Sequence, residues 1–299
     1  MFAYPISESA HPHRAVHHVT AQARVVDCRW DPRVYQIAAL SLLLLYGYTR
    51  LQFDVAAANV ALILCVVLAT QYVCTRLWKL PVFDFRSALI SGLSLSLLLR
   101  ANSVWWFVLA AAVSIAGKFL FRWNGKHLFN PANFGIVTLL LCPGGNAWVC
   151  PGQWGNAVFF GFLLICLGGV VVNRARSADL TLGFLASYLA LVFGRSLWLG
   201  EPMAIPLHRI ENGALLIFAF FMISDPRTTP DSRLGRIFFA GLVAFGGWYV
   251  QFRLFRTNGL LWSLAAFALA VPVIDSLLPA ARYQWRPPDP LNIPKLASS

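Results

Sequence analysis

Charge is what this chain has least of. Only 12% of its 299 residues are Asp, Glu, Lys or Arg, and the acids number 12. Hydrophobic side chains make up 58% and the mean hydropathy is +0.64, which excludes an ordinary water-soluble domain of this length. The 6 cysteines, at positions 28, 65, 74, 142, 150 and 166, follow no iron–sulfur or zinc spacing. Outside the N-terminal tail histidine occurs only as His127 and His208, expected on opposite membrane faces, so no paired axial haem site is expected. No cleavable leader is expected either. The first 33 residues are polar, and His11, His13, His17 and His18 lack a Cys or carboxylate at ligand spacing, so the stretch reads as a mobile tail with no metal assigned.

What the chain has in abundance is apolar sequence, interrupted by short clusters of Arg, Lys, Pro and Gly. A spanning helix needs about 20 mostly apolar residues. Ten runs answer to this, near 34–53, 55–76, 86–99, 104–121, 132–142, 155–172, 180–199, 213–223, 235–252 and 259–278. The expectation is an all-α integral membrane protein of about ten transmembrane helices. The third, fifth and eighth runs are too short for a full span, as half-helices are in folds built from repeats.

Charge orients the chain. With the N-terminus inside, 18 basic residues fall on one side and six on the other, namely Arg50, Arg100, Arg195, Arg209, Arg253 and Arg256. Cytoplasmic loops collect Lys and Arg, so both termini are expected in the cytoplasm. The net charge of +12 then reflects topology and contact with anionic lipids, and no nucleic-acid partner is expected. The third and eighth runs share a polar start, small residues and then Leu-rich sequence, which suggests two inverted five-helix repeats over 34–153 and 154–280, between tails 1–33 and 281–299. Ser91, Gly92, Ser94 and Ser96 would let helices approach closely.

Two polar, proline-containing stretches stand at the ends of apolar runs, residues 125–133 and 224–230. Polar groups at the edge of hydrocarbon are expensive unless they line a cavity or bind something. Asn130 before Pro131 has the chemistry of a helix cap, and Lys126, His127 and Asn133 add donors and acceptors near the positive helix end. Such a set suits an anion or a planar ligand rich in carbonyl and imide groups. Asp225, Thr228 and Thr229 offer the same chemistry in the second stretch, and Ser232 or its neighbours can cap the next helix. Both stretches fall on the cytoplasmic face and are expected to converge on one pocket.

The loop 142–152 repeats Cys-Pro-Gly on the outer side. There Cys142 and Cys150 could form a disulfide or stay as thiols, while a metal would need further soft ligands. Asp275, inside the last run, reads either as a functional acid or as half of an ion pair, with Arg282 two turns away.

Phe129-Asn130-Pro131-Ala132, residues 221–226 with 228–236 behind them, and Val271-Pro272-Val273-Ile274-Asp275 resemble a membrane family over roughly residues 35–285. It is the family of NqrB, from the sodium-pumping NADH:quinone oxidoreductase, and RnfD, from the Rnf electron-transport complex. The resemblance implies a urea-transporter-like fold of ten helices in two inverted repeats, a place in the bacterial inner membrane, membrane or periplasmic redox subunits as partners, and flavin. Family members carry one flavin on the Thr of a Ser-Gly-Ala-Thr motif. This chain has no such motif, so covalent FMN is not expected. A second family flavin lies non-covalently by an Asn-x-x-Asn-Pro segment, of which this chain keeps Asn130-Pro131 and has His127 at the first position. Riboflavin or FMN, held non-covalently by Lys126, His127, Asn130, Asn133, Asp225, Thr228 and Thr229, is therefore what the resemblance implies, in a protein that transfers electrons. A solute channel on the same fold, with Gly92 and Gly213 at its pore, and a scaffold protein are the alternatives.

Overall fold

The computed structural model describes residues 31–283 apart from 52, 151–164, 166, 174–176 and 211–212. Most of both tails, most of the sixth run, Cys28 and Cys166 lie outside the described residues. Pro32 opens helix α1 (Pro32–Arg50) where its missing N–H costs nothing, and Asp31 caps the turn by accepting from Arg33 N at 3.0 Å. Helices α2 (Ala57–Leu77), α3 (Phe85–Leu98), α4 (Val104–Leu120) and α5 (Pro131–Leu141) complete the first half. The second half holds α6 (Ala178–Leu199), α7 (Ala204–Ile210), α8 (Gly213–Ile217), a π-helical turn Phe218–Met222, α9 (Arg233–Phe252), α10 (Gly259–Ala268) and α11 (Val271–Leu277).

Two of these helices, α2 and α6, are long and apolar enough to cross a membrane, and the number rises to four if each bent pair counts as one span. One pair is α10 with α11, bent by 51° where Pro272 removes a backbone donor from the tenth run. The other joins α7 to α8 and the π-helical turn, so the eighth run is shorter and less regular than its composition suggests. The third, fourth and fifth runs form the shorter apolar helices α3, α4 and α5.

The described chain is mostly helical, in keeping with the all-α expectation, with four short strands between its helices. The third run leaves the helix at Leu98 and continues as an extended strand, β1 (Leu99–Ala101), whose Leu99 and Arg100 are buried. Extended backbone away from water needs partners. They come from β4 (Ala147–Val149) in the Cys-Pro-Gly loop, paired antiparallel with Leu99 opposite Val149, and Cys150 N donates to Leu98 O at 2.9 Å. Cys150 is drawn into the ladder while Cys142 ends α5, and both remain free thiols. Arg100 turns its Nη1 back onto the end of α3, donating to Leu99 O at 2.8 Å and Ser96 O at 3.2 Å.

Packing follows one order in both halves. Helix α2 lies on α4 and α4 on α5, as α6 lies on α9 and α9 on α10. The halves meet where α5 touches α10, and there Asn133 Nδ2 donates to Leu261 O at 3.1 Å. Gly92 belongs to this packing too, since a Cβ on it would stand 2.9 Å from Leu64 and Val67 side chains.

Candidate functional site

The first polar stretch is shaped by a hairpin that its composition announces in one dipeptide. Asn124 (φ 46°) and Gly125 (φ 76°) make a two-residue turn of the type that Asn-Gly favours, between β2 (Arg122–Trp123) and β3 (Lys126–His127). Turning back so tightly buries Lys126 and His127 under α4. His127 Nδ1 donates to Lys118 O at 3.0 Å, leaving Nε2 as an acceptor. Burial, reinforced by the charges of Lys118, Arg122 and Arg227, pushes its pKa down to about 3, so the ring is neutral.

Asn130 uses both ends of its amide. Its oxygen caps α5 by accepting from Asn133 N at 3.1 Å, and its nitrogen donates to Met222 O, also at 3.1 Å, across to the other half. The π-helical turn supplies that carbonyl, because a widened turn releases groups from the regular ladder. Lys126 Nζ donates to Thr229 O and to Asp275 Oδ2, each at 2.7 Å, and lies 3.2 Å from Asp231 Oδ1. The partner of Asp275 is therefore Lys126 and not Arg282. In the second stretch Asp225 accepts from Arg227 N at 3.0 Å and Thr228 Oγ1 donates to Asp225 O at 3.2 Å. Burial pushes the carboxyls of Asp225 and Asp231 up, against the opposing pull of Arg227 and Lys126 respectively. Thr229 Oγ1 and Asn133 Oδ1 are buried with no hydrogen-bond partner among the described residues.

The two stretches thus come together, as their shared face required. Between them His127, Asn130, Asp225 and Arg227 line a cavity with Asp84 and the α3 serines Ser87, Ser91 and Ser94. Its volume is about 40 Å³, room for a few waters. Lys126, Asn133, Thr228 and Thr229 do not face it, being spent on contacts between the halves and within the second stretch. Behind Ser87, buried Lys118 donates to Ser87 Oγ at 2.9 Å and to Gln71 Oε1 at 3.0 Å. Sequence reasoning missed this lysine, whose signal was a lone cation inside an apolar run. At the cavity mouth Arg33 joins α1 to α3 through Asp31 (2.7 Å) and Asp84 (2.6 Å).

A wider cleft of about 620 Å³ shares Arg33, Asp84 and Arg227 with the cavity and is lined further by Phe83, Phe85, Arg86, Gly125, Lys126, Arg282 and Tyr283. Sites for cofactor-sized ligands measure about 300–1,000 Å³. An isoalloxazine ring therefore does not fit the closed cavity where the sequence placed it. The adjoining cleft has the volume and the donor set for one.

Comparison with known proteins agrees with the motifs. The profile of the NQR2, RnfD, RnfE family matches residues 146–284. Over those residues the chain is similar to that family. The D subunit of the ion-translocating oxidoreductase complex of Cronobacter sakazakii is 25% identical over 77% of this chain and 86% of its own length. The protein of the same description from Halorhodospira halophila is 27% identical over 77% and 83%, and that from Erwinia tasmaniensis 30% identical over 50% and 38%.

Proposed function

We propose that this chain is a membrane component of an ion-translocating oxidoreductase complex of the Rnf type, working beside other membrane or periplasmic redox subunits. The observation that carries the reading is the match to relatives of that description along 77% of the chain, including the second polar stretch. Two inverted five-helix repeats in the bacterial inner membrane, with both termini cytoplasmic, complete the proposal. The packing order shared by the two halves supports the repeat.

The proposal extends to riboflavin or FMN held non-covalently in the wider cleft. Phe83, Phe85 and Tyr283 offer ring faces there, and Arg227 and Arg282 offer donors to phosphate or carbonyl oxygens. A bound flavin would supply one- and two-electron transfer. The chain's own residues fix the walls: Lys126 with Asp231 and Asp275 holds the halves together, and neutral His127 keeps a further charge out of the cavity behind. Purification from native membranes in mild detergent tests both parts. A yellow preparation that releases flavin on denaturation, with other members of the complex, is expected. A colourless one that retains its lipids overturns the flavin assignment, and a chain that never co-purifies with another redox protein overturns the complex.

A further inference from the structure

Gly194 lies in the last third of α6 with nothing within 4 Å of the Cβ it lacks. A glycine inside a helix is unfavourable relative to alanine, and no close approach of a neighbour offsets that cost here. The open space is a groove of about 610 Å³ between the C-terminal parts of α6 and α9, lined by Leu191, Arg195, Trp248, Phe252 and Arg253 as well as by Gly194. The two helices run side by side in the same direction. Gly183 faces Ala240 near their starts, and the Arg195 guanidinium stands 4.5 Å from the Phe252 ring centre near their ends.

The chemistry changes along the groove. Its floor is apolar, while its lip carries Trp198 and Phe255, 88% and 86% exposed, where aromatic residues mark a membrane–water interface. The lip is also basic. Arg195 is paired with Glu201 at 2.6 Å, and Arg253 has no acidic partner among the described residues. Among the described residues the two arginines of the lip outnumber its one acid, on the side where few basic residues are expected. A second apolar helix laid into the groove would cover Arg253 and leave it without a counter-charge, whereas a lipid phosphate supplies one.

We propose that this groove binds one anionic phospholipid, its acyl chain along Gly194 and its phosphate at Arg253. The site needs the bilayer and not the redox reading, so flavin content and lipid content can fail separately. The test compares wild type, Gly194→Leu and Arg253→Gln, purified from native membranes in mild detergent, by native mass spectrometry. Leucine has open space at 194 and is the better helix former, and an unchanged helical spectrum checks the fold. Wild type is expected to retain one phospholipid that both variants lose. After delipidation, phosphatidylglycerol should restore it and raise the thermal midpoint of wild type alone, with phosphatidylcholine weaker. Equal lipid counts in all three proteins, or no preference between the two lipids, overturn the proposal. So does a photo-reactive residue at position 194 that captures a polypeptide instead of lipid in native membranes.

Discussion

Lys126 Nζ stands 2.7 Å from Asp275 Oδ2, and the same carboxylate accepts from Asp231 N at 2.8 Å, so one acid on α11 fastens the hairpin of the first half to the loop of the second. Both side chains are largely buried, 10% and 21% exposed. Removing the cation leaves Asp231 and Asp275 facing each other unpaired, whereas removing one acid leaves Lys126 the other. Lys126→Met should therefore destabilise by about 3–5 kcal/mol and Asp275→Asn by about 1–3 kcal/mol. Thermal unfolding in detergent reads the difference. Equal effects, or none from Lys126→Met, would show that the contact does not join the halves.

Asn130 has two separate tasks, and two substitutions tell them apart. Asn130→Asp keeps an oxygen to cap α5 but removes the donor to Met222 O, while Asn130→Ala removes both. The cap is worth about 1 kcal/mol and a buried carbonyl left without its donor about 1–3 kcal/mol. Alanine should therefore be the more destabilising by roughly the cap. If aspartate is as stable as wild type, the tie between the halves contributes nothing.

The neutral state of His127 gives stability a pH dependence of known sign. Its pKa is depressed to about 3 in the folded chain from about 6.5 when unfolded, so the unfolded chain binds the extra proton between those values. Stability is fully present above pH of about 6.5 and falls as pH drops toward about 3, by up to about 1.4 kcal/mol per pH unit. Asp225 and Asp231, with carboxyls pushed up, act in the opposite sense near their own titration. The measurement is thus a comparison with His127→Gln, which should lose less stability than wild type between pH 7 and pH 4.5. Parallel losses would mean that the ring is not held neutral.

How much of this was legible beforehand differs from residue to residue. Asn130 before Pro131 announced its cap, and Ser232, whose Oγ accepts from Gly235 N at 3.0 Å, announced the next helix, because capping is decided by side chains within four positions of one another. The meeting of the two polar stretches followed from their shared face. What each polar group does there did not follow, since Lys126 reaches Asp275 across 149 positions and only packing brings them together. The hairpin had a local sign in Asn124-Gly125, overshadowed by the stronger stop signal of the proline beyond it. The strand after Leu98 had no local sign, since Leu-rich sequence serves a buried helix or a buried strand alike until a partner such as β4 is known.

The thiols of the Cys-Pro-Gly loop give a direct check on its geometry. Cys142 is half-buried at the end of α5 and Cys150 is buried beside β1, with no bond between them. Cys142→Ser should unfold within about 0.5 kcal/mol of wild type, and Cys150→Ser, which buries a hydroxyl, about 1–3 kcal/mol below it, each with or without reductant. An equal loss of stability in both variants that vanishes once wild type is also reduced would reveal a disulfide.

At Gly135 helix α5 packs tightly against α4. A Cβ there would run into Ser114 Oγ and stand 2.8 Å from Ala110 O, a backbone atom that cannot rotate away. Since α5 carries Asn130 and Asn133 at its start, any shift of its axis is transmitted to Met222 and Leu261 in the other half. Gly135→Ala should cost about 1–3 kcal/mol by overpacking, despite the better helix propensity of alanine. It should also weaken the coupling measured by a double-mutant cycle between Asn130 and Lys126. In Gly194→Ala, where the space is open, the same substitution should stabilise by about 1 kcal/mol in lipid-free detergent. The opposite signs of these two glycine replacements test the helix positions in both halves with one kind of measurement, and matching signs would contradict one of the two contacts.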